Sequence, residues 1–187
     1  MPISDIVNSV GTIGAQPTSG SVILETAAVN YPFYHLTFRF TAARIPVTDA
    51  GGSGSSGSLK IFDFNEGAVQ MVGSRHDWTA FAEGAALTTG AGDAAFVIAF
   101  GSTAAVAGDG ALSGTSVNFG ATRSVTLSGG AGTGATTVTA AQTPLDGTTT
   151  AVDLYLNWSG SAASIEANSY IDVTGSYTVF GVMLGDD

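Results

Sequence analysis

Ser74-Arg75-His76-Asp77 brings a hydroxyl, an imidazole and a carboxylate within four residues, the three groups of a nucleophilic triad. A working triad needs its base within hydrogen-bond reach of the nucleophile and its acid behind the base. Successive side chains on an extended chain point to opposite faces instead, and no G-x-S-x-G elbow occurs in the chain. The segment therefore reads as a polar strand edge or turn. His35 lies in the aromatic run Tyr31-Pro32-Phe33-Tyr34-His35 and reads as a packed, hydrogen-bonded histidine rather than a ligand. With two histidines and no cysteine, a metal centre would have to draw Asp or Glu ligands from across the fold.

Two glycine-rich runs invite ligand readings and support neither. Gly52-Ser53-Gly54-Ser55-Ser56-Gly57 fits G-x-G-x-x-G, but a dinucleotide site needs a helix next, whose amides meet the pyrophosphate, and a strand pattern follows. Gly129-Gly130-Ala131-Gly132-Thr133-Gly134 lacks the Asp of calcium-binding glycine repeats and reads as a loop. Asn157-Trp158-Ser159 fits a glycosylation sequon, which matters only on a secretory route. No pair of carboxylates stands in a recognisable catalytic context. The expectation is a protein without catalysis, cofactor or metal.

Composition narrows the partners. The 187 residues carry a net charge of −10, with 11 % charged and 44 % hydrophobic residues, too apolar for a disordered acidic tail. All five cations (Arg39, Arg44, Lys60, Arg75, Arg123) fall between positions 39 and 123, so the basic stripe that phosphate contacts require is missing. Neither nucleic acid nor membrane is expected as a partner. The longest apolar run, Ala94 to Phe100, is about a third of a membrane-spanning helix, and the start lacks the pattern of a signal peptide. A soluble protein made in the cytoplasm is expected.

The elements that would position these residues are strands. From His35 the pattern has period two, with Leu36, Phe38, Phe40 and Ala42 on one face. This run and Leu59–Phe64 flank a Gly/Ser tract and read as a long hairpin. Further strands are expected at 68–72, 78–82, 94–100, 115–119, 123–127, 134–140, 151–158 and 169–184, bounded by Gly or Asp-Gly turns. No stretch keeps a helical period; Thr103 to Leu112 offers a turn or two at most. About ten short strands predict an all-β protein, an antiparallel β-sandwich of jelly-roll-like form over residues 33–187. Residues 1–32, where only Ser21–Glu25 reads as a strand, form an expected N-terminal arm.

The last strand carries the sharpest signal. Ile171, Val173, Tyr177 and Val179 share one face, while Asp172, Thr174, Ser176 and Thr178 occupy the other. That second face then turns apolar at Phe180, Val182 and Leu184. A strand apolar on both faces is covered on both sides, here either by the protein's own loops or arm, or by another subunit.

The segments Asp153-Leu-Tyr-Leu-Asn157, Ile171-Asp-Val-Thr-Gly175 and Leu184-Gly-Asp-Asp187 resemble the C-terminal end of capsid decoration (cement) proteins of tailed bacteriophages. Gly57-Ser-Leu-Lys-Ile-Phe-Asp-Phe-Asn-Glu-Gly67 and Phe100-Gly-Ser-Thr-Ala-Ala105, followed by Leu112-Ser-Gly-Thr115, are similar to central segments of the same group. The chain departs from the family pattern at Phe180-Gly181-Val182-Met183. The resemblance implies a non-enzymatic virion protein on the exterior of an icosahedral head, which cements major capsid protein subunits and associates with itself as a homodimer or homotrimer. Candidate interface residues are Phe180, Val182 and Leu184, the aromatic Tyr31 and Phe33, and Ile3, Ile6 and Val7 of the arm. The alternative is a carbohydrate-binding or adhesive sandwich using aromatic platforms. Trp78, Trp158 and the tyrosines would supply these, although Trp158 patterns as core.

Overall fold

The computed structural model describes residues 11–30, 32–46, 48–49, 55–83, 94–106, 111–120, 122–127, 131–132, 137–139, 144–160 and 170–185. At 29, 49, 78–83, 94–96, 123–127, 131–132, 137–139 and 185 this is the backbone alone. In chain order the strands are β1 (Gly11–Ile13), β2 (Ser21–Asn30), β3 (Phe33–Pro46), β4 (Thr48–Asp49), β5 (Ser55–Phe64), β6 (Ala68–Glu83), β7 (Ala94–Gly101), β8 (Arg123–Leu127), β9 (Ala131–Gly132), β10 (Thr137–Thr139), β11 (Asp153–Gly160) and β12 (Tyr170–Gly185). Among the described residues one 3-10 turn is found, at Gly114–Ser116.

Two antiparallel sheets face each other. The first runs β1-β5-β11-β7-β8 with β4 beside β5, and the second runs β10-β6-β12-β3-β2 with β9 on β6. Among β3, β5, β6, β7, β8, β10, β11 and β12, the first strand pairs with the last, the second with the seventh, the third with the sixth and the fourth with the fifth. That nested pairing is a jelly roll, as the short alternating strands predict.

The core is aromatic. Phe38 meets Phe62 edge-on at 5.5 Å between ring centroids, Phe64 stacks on Phe119 at 5.8 Å, and Phe100 lies flat on Tyr177 at 3.5 Å. In β12 the expected inner face, Ile171, Val173, Tyr177 and Val179, is fully buried. β3 alternates as read up to Phe40 and then changes phase. Ala42 takes a left-handed φ of 45° opposite a register shift in β12, so Ala43 and Ile45 reach the core and Ala42 does not. A bulge adds one residue and flips every later side chain.

Several expectations are corrected. β3 and β5 do not form a hairpin: they lie in opposite sheets, and the chain crosses between them. The crossing is tight, since a side chain at Gly57 would meet the Pro46 carbonyl at 2.1 Å. Residues 68–72 and 78–82 are parts of one strand, β6. The strand expected at 115–119 is the 3-10 turn, which delivers Phe119 into the core. Of the strand expected at 134–140, Thr137–Thr139 is described as strand.

The arm boundary at 32/33 is also corrected. From Gly11 onward the expected arm is woven into the sandwich: β1 pairs with β5, and β2 pairs with β3 from Ser21 to Asn30. Val22 and Leu24 are core residues. Their alternation with Ile23 and Glu25 supplies an inner face, and the exposed backbone edge of β3 supplies the partner. Residues 1–10, including Ile3, Ile6 and Val7, and also Tyr31, lie outside the described residues.

Candidate interaction surface

The outer face of the second sheet is built in bands. At one end Arg44 donates to both Asp172 oxygens (2.9 and 3.0 Å) and stacks over the Tyr170 ring at 3.4 Å. These bonds hold the guanidinium pKa above its usual value. Next come Arg39 bonded to Glu25, and Arg75 beside Asp77 at 3.6 Å. The Thr37 and Thr178 hydroxyls follow, 3.0 Å apart. Each band is set by register, with Thr178 opposite Thr37 and Asp172 opposite Arg44.

Beyond the threonines the face turns apolar across several strands at once. Phe180 lies opposite His35 of β3 and Gly73 of β6, and Val182 lies opposite Phe33 and Gln70. Phe180 stacks on the His35 ring at 4.7 Å with a 17° interplanar angle. The His35 Nε2 is 3.3 Å from the Thr37 hydroxyl. Phe33 is 60 % exposed, Leu184 47 %, Val72 47 % and Phe180 42 %. Phe33, Val72 and Phe180 line a groove of about 360 Å³ whose walls also include Ala28 and His35. Single exposed apolar side chains are ordinary; a contiguous group of them marks a contact site.

Phe180, Val182 and Leu184 share the outer face of β12 as their alternation implies, and the pairing of Val182 with Phe33 brings Phe33 to the same end, which their spacing did not show. Val72, Ala28 and His35 were not among the candidates. Val72 follows inward-facing Met71 and turns outward by ordinary alternation, and the register shift opposite Phe180 and Gly181 leaves it as the extra residue of β6, unmatched by β12. The glycine at position 181 has a local cause. The Tyr34 ring fills the space a side chain would take, its hydroxyl 2.1 Å from where a Cβ would sit. Burial pushes the Tyr34 phenol well above its usual pKa.

The catalytic-looking segment is dismantled by the pleat. Ser74 and His76 are buried on the inner face of β6, with His76 edge-on to Phe100 at 5.9 Å, while Asp77 turns outward to Arg75. The segment is a strand interior rather than a strand edge or turn. Asn157, Trp158 and Ser159 are all buried in β11, which closes the sequon to modification and removes Trp158 as a platform. Among the described residues no three His, Cys, Asp or Glu side chains gather as metal ligands, and no helix is long and apolar enough to cross a membrane.

A second constellation sits in the first sheet. Asn157 accepts from the Ser58 hydroxyl (2.6 Å) and the Ala105 amide (3.1 Å), and donates to the Thr103 and Ser116 carbonyls (2.8 Å each). One buried amide therefore ties together β5, β11, the loop after β7 and the 3-10 turn. On the outer side Lys60 bridges Asp153 at 2.7 Å and Asp63 at 3.1 Å. Burial lowers its pKa, and the two carboxylates more than offset this, leaving it raised.

A scan against models of known protein families finds no match, and none of the curated proteins matches the chain.

Proposed function

We propose that this chain is a non-enzymatic virion protein that binds the outside of an icosahedral phage head and cements its major capsid subunits, acting as a homo-oligomer. The observation that carries the reading is the exposed apolar end of the second sheet at Phe33, Phe180 and Leu184, where a stable isolated sandwich would keep polar side chains. Asn157 joins residues of three of the segments that carry the resemblance to decoration proteins. The mechanism is mass action. A ligand that binds the assembled shell but not loose subunits stabilises it by about 2.7 kcal/mol per site at a hundredfold excess over Kd. Linked protomers add avidity without new contacts.

The test pairs head retention with stability. Phe180→Ser with Leu184→Ser should cut retention on purified heads tenfold or more and leave the denaturant midpoint of the free protein nearly unchanged. Unchanged retention, or lost fold with normal binding by the folded remainder, overturns the reading. A glycan-binding module is the second reading, favoured by the Phe33, His35 and Phe180 rings around Asn30. Glycan screening with and without calcium separates the two.

A further inference from the structure

We propose that the groove beside Phe180 is filled by Phe33 of a second copy of this chain, in a reciprocal two-fold contact. This deepens the capsid reading by naming the subunit that covers the apolar patch. It rests on that reading only in taking the patch to be covered by protein.

Shape, symmetry and charge point to the same occupant. A cavity of about 150 Å³ accepts a benzene ring, so a groove of about 360 Å³ has room for a phenyl group between its own walls. The face also carries the matching projection, because Phe33 stands 60 % exposed at the groove's rim. A surface that holds both knob and hole is self-complementary about a two-fold axis, each copy giving what it receives.

Charge selects the face. Two copies at −10 each repel. On the described outer face of the second sheet, however, Arg39, Arg44 and Arg75 are each matched by Glu25, Asp172 and Asp77. Charges there cancel within one copy, and none of these six groups lines the groove. A like-charged copy meets paired rather than net charge from these groups, and apolar burial at the groove supplies the attraction.

The test is sedimentation equilibrium of the full chain without phage heads, joined to disulfide trapping. A reversible dimer is expected, weakened tenfold or more by Phe33→Ser or Val72→Glu, and tightened by added salt, which screens the repulsion between acidic copies. The chain has no native cysteine, so a Phe33→Cys chain mixed with a Val72→Cys chain should give a two-chain disulfide species beyond what either forms alone. A wild type that stays monomeric, a trimer, or a dimer indifferent to both substitutions overturns the proposal. If both substitutions unfold the protein, the trapping experiment decides. Head retention is measured separately: a monomer that still binds heads ends the pairing and leaves the capsid reading standing. A dimer that ignores heads does the reverse.

Discussion

Tyr177 of β12 donates its hydroxyl to the Phe119 carbonyl at 2.6 Å, so a strand of the second sheet is bonded directly to the segment behind the 3-10 turn. The phenol is fully buried, and desolvation, with a smaller contribution from nearby Tyr34, raises its pKa well above 10.0. A phenol with a raised folded pKa adds stability that is complete below its unfolded value and fades as pH climbs past it. The sandwich should therefore hold through neutral pH and lose stability above about pH 10. Each such phenol contributes a slope of up to about 1.4 kcal/mol per pH unit. Denaturant midpoints measured between pH 8 and 11.5 check this; a flat profile across pH 10 sinks it.

The two buried tyrosines should respond oppositely to loss of the hydroxyl. Tyr177→Phe leaves the buried Phe119 carbonyl without its donor and should cost about 1–3 kcal/mol. The Tyr34 hydroxyl is buried with no hydrogen-bond partner. Tyr34→Phe removes an unsatisfied group at almost constant volume and should leave stability equal or raise it. Urea unfolding of the two variants side by side tests the contrast, and a destabilised Tyr34→Phe contradicts it.

Asn157→Ala should be among the most damaging single changes in the chain. It strips partners from the Ser58 hydroxyl and from the Thr103 and Ser116 carbonyls together, while the Ala105 amide keeps the Ser58 Oγ as acceptor at 2.8 Å. The Ser116 carbonyl is buried and costs about 1–3 kcal/mol when left unsatisfied, the part-buried Ser58 and Thr103 groups can turn to water, and a total loss of about 3 kcal/mol is expected. For a chain of this size that lowers Tm by roughly 6–12 °C. A calorimetric scan showing a shift of only a degree or two would mean that the loop at 102–106 does not depend on this node.

The alternation of β12 and the absence of helical period made the fold class legible, because a sheet face writes itself into the sequence at period two. Bulges did not. Ala42 turns β3 through a left-handed φ with neither Gly nor Asn to announce it, and the extra residue that Val72 makes in β6 is visible only once its partner strand is known. Pairing order was hidden for a similar reason. β3 and β5 look like a hairpin locally, and their separation into two sheets is decided by long-range partners, β12 and β11. The apolar end of the site was readable at Phe180, Val182 and Leu184 because it breaks the polar run on one strand. Its other walls, Ala28, His35 and Val72, come from three further strands and have no shared sequence signal.

Truncation separates the two parts of the expected arm. A chain beginning at Gly11 keeps every described strand, so its unfolding midpoint should match the full protein. A chain beginning at Pro32 loses β1 and β2, and with them Val22 and Leu24 from the core. Those two side chains alone contribute roughly 1.5–3 kcal/mol each by burial. Their loss also opens the β3 edge, a row of unpaired backbone groups that invites aggregation, and takes Ala28 and Asn30 from the groove wall. The shorter chain should therefore unfold at markedly lower denaturant or precipitate, and its head retention should fall with its folded fraction. In the chain starting at Gly11, retention reads the contribution of Ile3, Ile6 and Val7 apart from the fold: a loss assigns them to attachment, and full retention confines attachment to the sandwich. Cooperative, wild-type-like unfolding of the Pro32 chain would show that β2 adds little to the core and would return the domain boundary to residue 33.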